Sequence, residues 1–181
     1  MFWSHVLVSG IEFVVMVFLT GIFIYFIYRM FVKANPDFDM EEEIRKNNIA
    51  VGVLMASILI AGSTILYRGL SGFEELIRLH VSAPGQMGLV WWKIAILGFL
   101  HIVVALFMSV FTISVTLRLF GKLVKTMKPG KELQKGNIAV GLLLSAVVIV
   151  SALFIGSGVS SVAKAMVPQL EVSNVEVMND Y

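Results

Sequence analysis

The sequence predicts an all-α integral membrane protein. Four transmembrane helices form two parallel-oriented helix-pair repeats, with short interfacial helices on the outer side. Three observations carry this expectation. First, 58% of the 181 residues are hydrophobic and 14% are charged, against roughly 25% charged in an ordinary soluble domain. Second, four apolar runs, 6–32, 49–67, 89–117 and 138–162, have the roughly 20 residues that a spanning helix needs. Third, Asn48-Ile-Ala-Val-Gly52 returns unchanged as Asn137-Ile-Ala-Val-Gly141, and the residues on either side keep the same register. Such self-similarity is the mark of an internal duplication.

The chain is a single membrane domain, 1–181. Repeat one covers about 6–79, repeat two about 89–168, and an acidic tail follows at 169–181. In hydrocarbon every backbone polar group must be paired within its element, so each long run is helical. The first run carries Glu12 and Arg29, the third Lys93 and His101, and the second and fourth no charge. Met1-Phe2-Trp3-Ser4-His5 has no basic region and no small-residue cleavage site, so the first run is expected to be retained as a span. Asp39–Lys46 and Gly130–Lys135 are charged lead-ins to the second and fourth runs. Asn48 and Asn137 suit the cap position there, because an Asn side chain accepts from a first-turn amide. Phe73, Leu76 and Ile77 share one helical face, and Glu74, Glu75 and Arg78 another. That pattern predicts a short helix lying on the outer leaflet, with a counterpart at 159–167.

Positive charge sets the orientation. The turns after the first and third runs hold ten lysines and arginines, from Arg29 to Lys46 and from Arg118 to Lys135. The opposite side holds Arg68, Arg78 and Lys164, with Lys93 near its edge. Basic turns stay in the cytoplasm, which puts both termini outside. Trp91 and Trp92 then fall at the outer interface, with Lys93 snorkelling beside them.

Four features bear on function. Gly52, Ala56, Ile60, Ser63 and Tyr67 form one small-residue stripe, and Gly141, Ser145, Ile149, Ala152 and Gly156 another. Small residues let helices approach closely in lipid, so both stripes are expected to pack. Glu12 and His101 occupy equivalent repeat positions, and Ala105, Ser109, Thr112 and Thr116 continue the His101 face. An ionisable group within a span is a functional hypothesis by default. One reading ties the first and third helices together through a Glu12–His101 bond. The other is an outer vestibule that passes protons or small cations along Ser109, Thr112 and Thr116, with the imidazole titrating near neutral pH.

With no cysteine in the chain, disulfides, thiolate metal sites and cysteine nucleophiles are excluded. His5, His80 and His101 have no metal-ligand spacing, and no phosphate loop is present. No catalytic residue, cofactor or metal is expected. The basic run Lys122–Lys135 lacks aromatic interleaving and fits anionic lipid rather than nucleic acid.

The pattern of a polar lead-in, an Asn and a Gly/Ala/Ser-rich span resembles the bacterial inner-membrane family catalogued as domain of unknown function 350. Asn48, Ala50, Gly52, Ser57 and Gly62 carry the resemblance in repeat one, and Asn137, Ala139, Gly141 and Ser145 in repeat two. It implies two helix pairs, a bacterial plasma membrane location and no established activity. The longer outer loop 68–88 and the acidic tail depart from the shorter members and could bind a partner. The expectation is a non-enzymatic, homo-oligomeric scaffold or subunit of a membrane complex. The alternative is the proton or small-cation conduit.

Overall fold

Residues 2–34, 39–82, 90–124 and 127–167 are described by a computed structural model. Among them the chain is all helical: α1 Phe2–Ala34, α2 Met40–Arg45, α3 Ile49–Ser82, α4 Trp91–Leu123, α5 Pro129–Gln134 and α6 Ile138–Ala165. The order is long, short, long, then long, short, long. Three of these, α3, α4 and α6, are long and apolar enough to cross a membrane, as expected of a multi-pass membrane protein. The apolar stretch described in α1 is shorter, Met16–Arg29.

Helix α3 is the hub. It packs most extensively on α6, then on α4, while α1 leans mainly on α3. Ala50 meets Gly141, Arg68 meets Gly156, Ser71 meets Ser160 and Gly72 meets Ala163. Numbers rise together along both helices, so α3 and α6 run side by side in the same sense. By contrast Gly62 meets Ser109, Gly69 meets Ala105 and Gly72 meets His101. Here one number rises as the other falls, so α4 is antiparallel to α3. Phe23 and Ile27 of α1 close on Gly62 as well. The core is aliphatic, with Ile58, Ile65, Ile113 and Val148 all but inaccessible. Phe107, Phe111, Leu153 and Phe154 face outward, as lipid-facing residues do.

The structure corrects three expectations. The segment 73–79 is not a separate interfacial helix but the continuation of α3, and Leu76 is 0% exposed. At 34 residues and 1.5 Å per residue, α3 is about 51 Å long, well beyond a hydrocarbon core of about 30 Å. The Gly69-Leu-Ser-Gly72 segment is where α3 touches its neighbours. The counterpart at 159–167 is likewise the last part of α6, which runs on to Ala165. Third, the two small-residue stripes differ. In α6, Gly141, Ser145, Ala152 and Gly156 are buried, with Ile149 partly so. In α3, Ala56, Ile60 and Tyr67 are exposed, and nothing lies near Gly52. Gly62, Gly69 and Gly72 of α3 are the close-contact glycines instead, meeting α4 at all three and α6 at the last two. The tail 169–181 and residues 83–89 of the outer loop lie outside the described residues.

Candidate functional site

Two polar groupings stand out, one at each end of the α3–α6 pair. The first caps the N-termini of these helices. Asn48 Oδ1 accepts from Val51 N at 3.3 Å, and Asn137 Oδ1 accepts from Val140 N at 3.4 Å. Each Nδ2 reaches back to the preceding short helix, Asn48 to Glu43 at 2.9 Å and Asn137 to Glu132 at 3.2 Å. Each glutamate is also held by a lysine, Lys46 at 3.3 Å and Lys135 at 2.7 Å. The residue before each Asn has a left-handed backbone, Asn47 at φ 61° and Gly136 at φ 78°. Asn and Gly tolerate that region best. Asn48 does more than its counterpart, because its Nδ2 also donates to Leu133 O of α5 at 2.8 Å. Gly52 and Gly141 follow one turn later. Only Gly141 meets another backbone, with Ala50 O 2.7 Å from where a Cβ would stand.

Replacing Asn48 by alanine is expected to cost about 2 kcal/mol, and Asn137 by alanine about 1 kcal/mol. The difference is the loss of the bond to Leu133. Denaturation midpoints of the two variants in detergent check the ranking.

The cap carboxylates set the acid limit. The Asn48 amide bond, with Lys46 assisting against burial, holds Glu43 below its ordinary 4.5. Lys135 and then Asn137 do the same for Glu132. Both groups give up protons more readily when folded, so the unfolded chain takes up more protons as the pH falls. The stability they confer is present above pH 4.5 and is lost as pH drops through the lowered folded values. Thermal melting is therefore expected to fall in this acid range. Glu43→Gln with Glu132→Gln should flatten that fall.

The second grouping lies near the C-termini of α3 and α6. His101 is 1% exposed. Its Nδ1 lies 2.8 Å from Leu97 O one turn back, and its Nε2 lies 3.1 Å from Ala163 O in the last turn of α6. Only a ring with hydrogens on both nitrogens donates to both oxygens, and a neutral ring donates to one. Gly72 makes this approach possible, since a Cβ there would lie 2.5 Å from Ala163 O and 3.0 Å from Nε2. Both ring nitrogens of His101 thus lie within hydrogen-bond distance of main-chain oxygens. For Glu12 only the backbone, in α1, lies within the description.

Of the hydroxyls below His101, one bonds across to a neighbouring helix. Ser109 donates to Gly62 O at 3.1 Å. Thr112 is buried and Thr116 partly buried. Ser71 and Ser160 meet at 3.4 Å across the α3–α6 seam. Ser145 Oγ is buried without a partner among the described residues, and we have no physical account of it. The crevice between α1, α3 and α4 is lined by apolar side chains such as Leu66, Leu70 and Ile102. Its volume of about 20 Å³ holds little more than one water-sized sphere. Among the described residues no three His, Asp or Glu come together as a metal site.

Sequence reasoning missed Gly62, Gly69 and Gly72 as contact points. Their spacings of seven and three put them on one helical face, and that signal was available. A family model described as Domain of Unknown Function (DUF350) matches residues 1–159. No curated protein matches the chain, and no solved structure does.

Proposed function

The chain belongs to the family described as Domain of Unknown Function (DUF350), and from that premise we propose that it is a non-enzymatic membrane scaffold. It acts as an oligomeric subunit of a membrane complex. In this reading α1 is a fourth span, and one ancestral helix hairpin, copied once, inserts twice in the same sense. The matching cap geometry of the two halves supports the duplication. The charge bias supports basic turns in the cytoplasm of a bacterial cell and termini outside. The exposed side of the α3 end, with Glu75 and Arg78, the segment that follows to residue 88 and the tail are the proposed partner surface.

One observation carries the scaffold reading. His101 Nε2, Ser109 Oγ and the Ser71–Ser160 pair each reach across to a neighbouring helix. Polar groups used in this way hold a bundle together. A conduit through Glu12, His101, Ser109, Thr112 and Thr116 would need them to face water. Liposomes loaded with a pH-sensitive dye test the choice. The scaffold predicts the same decay of a pH gradient with the protein as without it. A flux abolished by Glu12→Gln or His101→Ala would overturn the scaffold in favour of the conduit.

A further inference from the structure

The two inner turns share a fold but not a charge. Residues 29–46 hold four basic and five acidic residues, whereas residues 118–135 hold six basic residues and one acidic. The difference falls at matching repeat positions, where Asp39 and Glu42 of the first turn become Lys128 and Lys131 in the second. The described acids of the first turn are occupied. Asp39 caps α2, Glu41 meets Arg45 and Glu42 meets Lys46. In the second turn Lys135 is taken by Glu132. Arg118, Lys122, Lys128 and Lys131 are exposed and make no ion pair with a described residue.

Apolar side chains stand directly beside these cations. Arg118 and Lys122 are one turn apart on α4, and Leu119 and Leu123 follow them on the adjacent strip. Those leucines are 56% and 78% exposed. Cations next to uncovered leucines, at the end of a helix long enough to cross a bilayer, suit a ligand with a phosphate above and an acyl chain below. Free phosphate or a nucleic acid would engage the cations alone and make no use of the leucines.

We propose that the junction of α4 and α5 is a binding surface for anionic phospholipid headgroups. Lys122, Lys128 and Lys131 receive the phosphate, and Leu119 and Leu123 lie against the acyl chains. The first turn, with its acids, does not share this role. Each lysine near a membrane surface adds to the attraction for anionic lipid, and salt screening weakens it.

Native mass spectrometry of the detergent-solubilised protein, titrated with phosphatidylglycerol or phosphatidylcholine, tests this. Phosphatidylglycerol should bind in preference. Lys122→Gln with Lys128→Gln and Lys131→Gln should weaken that binding about tenfold, with an unchanged melting temperature. Glu42→Lys should instead add phosphatidylglycerol binding at the first turn. An unchanged phosphatidylglycerol preference in the triple variant would overturn the proposal. So would inorganic polyphosphate or an oligonucleotide displacing the lipid.

Discussion

Gly72→Ala is expected to wedge α3 away from α6 and to cost about 3 kcal/mol or more, at the upper end of overpacking changes. The new methyl would lie 2.5 Å from Ala163 O and 2.7 Å from Ala163 C. Those are main-chain atoms in the last turn of a packed helix, so they cannot rotate aside as a side chain can. Gly141→Ala meets the backbone of Ala50 in the same way, 2.7 Å from its oxygen, and should be nearly as damaging. Two controls separate this cause from helix propensity. At Gly156 the obstacle is the flexible Arg68 side chain, so alanine there should cost about 1 kcal/mol or less. At Gly52 and Gly158 nothing lies within 4 Å. Alanine there should be neutral or stabilising by up to about 1 kcal/mol, because glycine is a poor helix former. Denaturation curves of the five variants in one detergent give the ranking. Equal losses at Gly72 and Gly158 would refute the packing account.

His101→Ala is the second large effect. It removes the ring's hydrogen bonding to main-chain oxygens, worth roughly 1 kcal/mol or more, and leaves a void in a closed interface. It also leaves Ala163 O with only its bond from Met166 N at 3.2 Å. The total expected is about 3 kcal/mol. His101→Phe fills the space but restores neither bond, so it should recover part of the loss only. A variant lacking His101 that melts like the unmodified chain would mean the ring does not fasten α4 to α6.

The sequence carried much of this fold and less of the site. Run length and the repeated Asn-Ile-Ala-Val-Gly segment marked the helices and the start of α3 and α6. Spacing alone put His101, Ala105, Ser109 and Thr112 on one strip of α4, and that strip is buried. Its partners were not legible. Periodicity tells which side chains share a face, but not which distant carbonyl, such as Ala163 O or Gly62 O, that face will meet. The stripe from Gly52 to Tyr67 failed for a related reason. Like segments sit in unlike surroundings: α4 covers Gly62, Gly69 and Gly72 of α3. Gly158, which matches Gly69, has nothing near it. Local sequence could not show that asymmetry. Nor could the amphipathic segment 73–79 be told from a separate helix, since a buried Leu76 and an outward Glu75 fit both.

The central claim is that α3 and α6 lie side by side in one sense and bring matching positions of the two halves into contact. Because the chain has no cysteine, Ser71→Cys with Ser160→Cys tests it in a clean background. The two hydroxyls are 3.4 Å apart. Mild oxidation in membranes should give a disulfide within one chain, with the single variants unchanged. No cross-link under oxidation, or pairing of residue 71 with a cysteine placed at residue 142 instead, would contradict the parallel seam.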